Sequence, residues 1–219
     1  MISAIVLAAG RARRMGEQKL LLPLRDKPVL QWVLEGALAS NVDEVICVVR
    51  DLVSVRRGIS VADQRLHWLV NYAADRGQST SVIAGLWAMD PKSTGALFLV
   101  GDQPMIQPQL LNALIARFER SAALIVASAF QGRTKNPVLF RRELFPELIK
   151  LTGDRGGRAL IDKHREKTEI VDWNDEAPFM DLDVREDYER LKGLANQLAL
   201  PTASAMDLYP SRSNRRSRP

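Results

Sequence analysis

The residues with the most chemical potential lie close to the N-terminus, in Ala8-Ala9-Gly10-Arg11-Ala12-Arg13-Arg14-Met15-Gly16-Glu17-Gln18-Lys19. The stretch begins with small side chains and turns basic. Small side chains let a backbone approach a ligand, glycines free the dihedrals needed to wrap it, and the exposed amides then donate to phosphate oxygens. Arg14 and Lys19 add positive charge on long stems. A solvated basic loop is the competing reading of the same residues. Five residues separate Gly10 from Gly16, no Gly-Lys-Ser/Thr follows, and the loop holds no Gly-x-Gly-x-x-Gly, so neither the Walker ATPase pattern nor that of an NAD dehydrogenase is present. A second polar group, Gln78 to Ser81, follows Gly77 and carries donors and acceptors suited to the edge of a base; capping of a helix by Ser79, Thr80 or Ser81 is the alternative.

These segments need elements to hold them. Ile2 to Ala9 is an almost unbroken apolar run ended by Gly10, the pattern of a strand buried on both faces. From Pro28, the residues Val29, Leu30, Val33, Leu34, Ala37 and Leu38 recur at helical spacing, with the proline in the first turn. Val45 to Val49, His67 to Val70 and Ala96 to Val100 read as further strands, the last ending in Gly101-Asp102. Between them, Val82, Ile83, Leu86 and Trp87 share a helical face, and Pro108 opens another helix. Leu124 to Ala127 and Val138 to Phe140 are later strands separated by a polar turn, Gln131 to Asn136, and a helix is expected after each. Met180 to Asp183 reads as a short strand leading into a helix faced by Val184, Tyr188, Leu191, Ala195 and Leu198, with Asp183 and Glu186 spaced as an N-cap pair. The alternation predicts an α/β fold: a three-layer, doubly wound, mostly parallel sheet whose ligands bind at the carboxyl ends of the strands.

Composition narrows the function classes. The net charge of +5 falls to +1 once Arg212, Arg215, Arg216 and Arg218 are set aside, so the body is nearly neutral and no nucleic-acid partner is expected. Residues 201–219 are polar, Ser- and Pro-containing and basic, which predicts a disordered tail after a domain spanning 1–200. No apolar run approaches the roughly 20 residues of a membrane-spanning helix, and the arginines follow the first apolar run, the reverse of a secretory signal. The single cysteine, Cys47, lies within Val-Ile-Cys-Val-Val and reads as a core residue; a reducing, cytoplasmic setting is expected. Two histidines, His67 and His164, offer no zinc or catalytic spacing, and Trp32, Trp68, Trp87 and Trp173 form no stacking platform.

Leu7-Ala8-Ala9-Gly10, Arg14-Met15-Gly16, Lys19, Pro28-Val29-Leu30, Gly77-Gln78-Ser79-Thr80-Ser81 with Gly85-Leu86, Gly101-Asp102-Gln103-Pro104, Asn136-Pro137-Val138, Gly153-Asp154-Arg155-Gly156-Gly157-Arg158 and Asp181-Leu182-Asp183 follow one another in this order. The series closely resembles the nucleotidyltransferases that attach a nucleotide to molybdopterin, a Rossmann-like fold akin to the glycosyltransferase-A type. The Leu-Ala-Ala-Gly form is similar to the cytidylyltransferase branch, where guanylyltransferases usually show Leu-Ala-Gly-Gly, and this makes Ala9 a candidate in base discrimination. The resemblance implies attack by the terminal phosphate of molybdopterin on the α-phosphate of CTP. It also implies triphosphate binding by Arg14, Lys19 and the Gly10 to Gly16 amides, nucleotide contacts from Leu7, Ala8, Ala9, Gln78, Ser81 and Gly85, and acceptor contacts from the later-loop residues Asn136, Arg155 and Arg158.

Such an attacking phosphate is already ionised near neutral pH, so the reaction calls for positioning, cations and fixed dipoles and not for a general base. Mg²⁺ held by one or two carboxylates plus substrate oxygens is expected, with Asp102 as the leading ligand, Asp183 as the second and Asp181 as the substitute if the register differs. Asp102 as a turn starter and Asp183 as a helix cap are the competing readings. Transfer from GTP, another phosphorylated acceptor such as a sugar phosphate, and a non-catalytic carrier of the molybdenum cofactor are the alternatives. Docking to a molybdenum hydroxylase or its maturation factor is the expected protein partnership.

Overall fold

The computed structural model describes residues 1–10, 18–154 and 157–197. The expected tail at 201–219 and Leu198 lie outside the described residues. In chain order the elements are β1 (Ile2–Ala8), the two-residue strands β2 (Pro23–Leu24) and β3 (Lys27–Pro28), α1 (Val29–Leu38), β4 (Glu44–Val49), α2 (Leu52–Gly58), β5 (Leu66–Val70), α3 (Gln78–Ala88), β6 (Gly95–Val100), α4 (Pro108–Arg120), β7 (Ile125–Phe130), β8 (Arg133–Arg141), α5 (Phe145–Leu148), α6 (Arg158–Lys163), β9 (Thr168–Asp172) and α7 (Arg185–Gln197). Seven strands form one sheet in the order β5-β4-β1-β6-β8-β7-β9. All neighbours run parallel except β8, which is antiparallel to both β6 and β7.

Period-two alternation divides each central strand between two cores. Ala4, Val6 and Ala8 of β1 pack with Val45, Cys47 and Val49 of β4 against Val33, Leu34 and Ala37 of α1 and Leu110, Leu111 and Leu114 of α4. Ile5, Ile46 and Val48 face the other way, onto Val82 of α3, with Phe98, Phe140, Leu148 and Leu160 extending that layer. Helices therefore cover both faces of a mostly parallel sheet, and the apolar runs are fully buried because neither strand face meets water. A third cluster seats Tyr188, Leu191 and Ala195 of α7 on Leu24 of the small β2–β3 ribbon and on Val29.

Several local expectations need correction. No helix follows β7: the turn is Gln131-Gly132, with φ of 50° and 73°, and the chain re-enters the sheet at once as β8. Two successive positive φ values match the twist of a tight hairpin, so residues Arg133 to Asn136, polar enough to read as a turn, are the solvent-side half of a strand. Met180 to Asp183 is not a strand, although the amide of Leu182 donates to the carbonyl of Asp102 at 3.0 Å. The start of α7 is held by Asp187, whose Oδ2 accepts from the amides of Asp183 and Val184 at 3.0 and 2.9 Å, in place of the expected Asp183 with Glu186. Pro28 sits one position before α1 and closes β3 as well, while the amide of Val29 donates to the carbonyl of Leu22.

Candidate functional site

In the sheet order, β1 lies between β4 and β6: the chain builds outward to β5 on one side, then crosses back to β6 on the other. Crossovers leave opposite faces at such a point and open a crevice at the carboxyl ends. Here a cleft of about 480 Å³ opens between Leu7 to Gly10 at the end of β1, Lys19, Val100 and Asp102 at β6, and Gly77, Gln78 and Ser81 at α3.

At the β6 end three charged groups meet. The Lys19 Nζ donates to Asp102 Oδ2 at 2.7 Å and to Asp183 Oδ1 at 3.0 Å, and the three side chains are 14%, 20% and 52% exposed respectively. Each arrives from a different element. Lys19 begins a single 3₁₀ turn, Asp102 follows β6, and Asp183 precedes α7, brought over by the packing of that helix on the β2–β3 ribbon. Burial opposes the Lys19 charge, but the Asp102 and Asp183 carboxylates outweigh it and hold the ammonium above its ordinary range. Asp181 lies beside them and accepts from Gln103 Nε2 at 2.9 Å. Its own burial, reinforced by the charge of Asp102, pushes its carboxyl above the usual range. Two carboxylates that converge on one small cation have the spacing and hardness to hold Mg²⁺ with substrate oxygens completing the shell.

The opposite wall is the first turn of α3. Gly77 carries φ of +110° and lies so close to Gly153 that a Cβ at 77 would sit 2.4 Å from a Gly153 backbone atom. This contact lets the carboxylate of Asp154 accept the Gln78 amide at 3.2 Å and the carbonyl of Gly153 accept that of Ser79 at 3.0 Å. The helix start is thus satisfied by a distant loop, and none of Ser79, Thr80 and Ser81 caps it. Asn71, after β5, donates to both Thr80 Oγ1 and Ser81 Oγ at 2.9 Å, which fixes the Ser81 hydroxyl on the cleft wall with its proton still available to a ligand.

The structure gathers most of the predicted nucleotide segment in one cleft: Leu7, Ala8, Ala9, Gly10, Lys19, Gln78, Ser81 and Asp102 all line it. Arg14, Gly16 and Arg155 lie outside the described residues. Gly85 does not line the cleft; a Cβ there would meet Ile5 Cγ2 at 2.5 Å, so this glycine is what lets α3 press onto β1. Asn136 is in strand β8 and Arg158 opens α6, neither of them in a loop, and both are exposed. The antiparallel register, Phe98 with Val138, still carries Lys135 and Asn136 to the same end of the sheet as Asp102. Sequence reading missed Arg50, Asp75 and Asp154, all at the cleft. Arg50 was findable, because it directly follows a buried strand; Asp75 and Asp154 sit in turns that carry no periodicity. Cys47 is fully buried and its thiol is pushed up by desolvation, which suits the core role expected of it.

The model of the MobA-like NTP transferase domain matches residues 4–168, from within β1 to the start of β9. The chain belongs to the MobA-like NTP transferase family. Within it, the chain is 30% identical to the purine catabolism protein PucB of Bacillus subtilis, over 86% of this chain and 94% of that protein. It is 28% identical to a probable molybdenum cofactor guanylyltransferase of Methanosarcina mazei, over 89% and 92% of the two chains. Among solved structures it is similar to Rv0371c of Mycobacterium tuberculosis at 30% identity and a TM-score of 0.77, covering 88% of this chain and 97% of that one. A manganese complex of Rv0371c matches at 27% identity and a TM-score of 0.72, with the same coverage. As a MobA-like NTP transferase, the chain is a nucleotidyltransferase. Among the described residues no helix is long and apolar enough to cross a membrane.

Proposed function

We propose that this nucleotidyltransferase transfers CMP from CTP to the terminal phosphate of molybdenum-loaded molybdopterin, releasing pyrophosphate and forming the cytosine dinucleotide. The observation that carries the catalytic part is the convergence of Lys19, Asp102 and Asp183 at the β6 end of a cleft floored by Ala8, Ala9 and Gly10. An acceptor phosphate oxygen attacks the α-phosphorus, the bond from that phosphorus to the α,β-bridging oxygen breaks, and pyrophosphate leaves with the electron pair. No proton needs to move. The ground to be gained lies in holding two polyanions together and in neutralising the charge that develops on the leaving group.

Asp102 and Asp183 are the residues that would hold Mg²⁺, which when bound supplies charge neutralisation at the α-phosphate and the leaving pyrophosphate. The manganese complex of Rv0371c supports a divalent cation in this reading. Lys19, which donates to the same carboxylates, lines the cleft and would present its ammonium to the phosphates. Gly10 brings its backbone to the triphosphate, and Gln78 and Ser81 present donors and acceptors to the base. The molybdopterin acceptor rests on the resemblance in sequence and on the name of the Methanosarcina mazei relative; Lys135, Asn136 and Arg158, together with Arg155, are the groups proposed to meet it. The choice of CTP rests on Ala9, whose methyl group, in a buried residue, narrows the floor beneath the base. Docking to a molybdenum hydroxylase or its maturation factor belongs to the same proposal. Pyrophosphate release from CTP in the presence of molybdenum-loaded molybdopterin and Mg²⁺ tests it; a folded protein that binds the pterin and releases none is a carrier instead.

A further inference from the structure

Arg50 directly follows β4 and lies on the cleft wall, on the far side of β1 from Asp102. Its Nη1 donates to Asp75 Oδ1 at 2.6 Å. Its Nε is buried and has no hydrogen-bond partner among the described residues, the one side-chain atom there in that condition. Proteins keep few buried donors unmade, and one on the wall of a substrate cleft points to a partner that arrives with the ligand. The geometry of the guanidinium sharpens this. Its planar fork has a side-on edge, made by Nε and Nη2, and Asp75 holds Nη1, which is outside that edge.

Strands in a sheet stand about 4.8 Å apart, so the tips of β4 and β6, on either side of β1, are separated by about 10 Å. With Lys19, Asp102 and Asp183 serving phosphates at the β6 tip, the β4 tip falls where the other end of a nucleotide must lie. We propose that Arg50 reads the nucleobase: Nε and Nη2 donate to the adjacent acceptors N3 and O2 of cytosine, while Asp75 fixes the opposite side of the guanidinium. This rests on the cytidylyl reading above and gives it a named residue. Adenine places an amino donor beside each acceptor on its Watson–Crick and Hoogsteen edges and is rejected by such a fork. Guanine offers a matching acceptor pair, O6 and N7, so the fork excludes ATP, and Ala9 is left to separate CTP from GTP.

Calorimetric binding of CTP, GTP, ATP and inorganic tripolyphosphate, each with Mg²⁺ and without acceptor, tests the assignment on the wild type and on Arg50→Lys and Arg50→Gln. Arg50→Lys keeps a charge beside Asp75 and removes the side-on edge, and unfolding curves establish that it is folded. The expected result is a wild type that prefers CTP, and about a tenfold or greater loss of CTP affinity in both variants with tripolyphosphate affinity unchanged. Equal losses for CTP and tripolyphosphate would make Arg50 a phosphate ligand and overturn the proposal. So would a CTP-preferring wild type whose variants bind CTP normally, an outcome that leaves the cytidylyl reading standing. A wild type that prefers GTP overturns the cytosine assignment and the cytidylyl reading together.

Discussion

The Lys19 ammonium contacts two carboxylates, Asp102 and Asp183, that lie far from it and from each other in the chain. The pair of contacts makes Lys19 a stand-in for the cation that the carboxylates would share during turnover. Asp102→Asn keeps the size of the side chain and removes half of the charge facing that cation. The expected outcome is an unchanged fold and a fall in turnover of at least ~10²-fold, measured as steady-state pyrophosphate release, because the lost charge matters most in the transition state. Near-normal turnover with Mg²⁺ would remove Asp102 from the mechanism. At this scale Lys19 and Asp102 were legible, since each follows a recognisable strand or loop signal. Asp183 was legible as a residue but not in its role: Asp187 accepts the amides of Asp183 and Val184 at the start of α7, while the Asp183 carboxylate accepts from Lys19.

Elements set how closely these residues approach. Gly85 lets α3 lie against β1, and Gly85→Val would force side-chain atoms into Ile5. Overpacking of this kind costs about 1–3 kcal/mol, so the variant should lose stability in denaturant titrations by that order, with weaker nucleotide binding as α3 moves off the cleft. Unchanged stability would mean that the helix is not seated as described. A second junction ties β5 to α1: Arg65 donates to both oxygens of Asp63 and to the carbonyls of Leu38 and Val42. The hydrogen bonds from Arg65 hold the Asp63 carboxyl below its ordinary value of 3.8. A folded pKa that is lowered gives stability present above the unfolded value and lost as pH falls through the folded one. Asp63→Asn should therefore melt below the wild type at pH 7, and the gap should close as pH drops below about 3.8 and through the lower folded value; a gap independent of pH would contradict the pairing. β1, β4 and β6 were readable because buried parallel strands are continuous apolar runs, whereas the half-exposed β9 was not predicted. The β7–β8 hairpin was not, because Arg133 to Asn136 extend the strand beyond the core, where polar side chains carry no burial pattern.

The whole molecule is a sheet whose reversal at β1 creates the cleft, with α7 returning to complete it at Asp183. Alternation of apolar runs and helical spacing was enough to predict the layers, since strands joined by helical crossovers form a sheet covered on both faces. It could not predict the antiparallel β8 or the loop–helix clamp of Gly153 on Gly77, which depend on contacts between residues far apart in the chain, such as Phe98 with Val138 and Gly77 with Gly153. The arginine-rich segment after Asp207 has a composition that adds no apolar burial. Its removal should leave the melting temperature and pyrophosphate release nearly unchanged, and a large drop in melting temperature would show that it packs. The reaction itself is tested by pyrophosphate release with molybdenum-loaded molybdopterin and Mg²⁺, with CTP, GTP and ATP compared in parallel. Release with CTP is expected to lie well above the other two. Release with GTP above CTP would overturn the base assignment, and no release with any of the three would contradict nucleotidyl transfer to this acceptor.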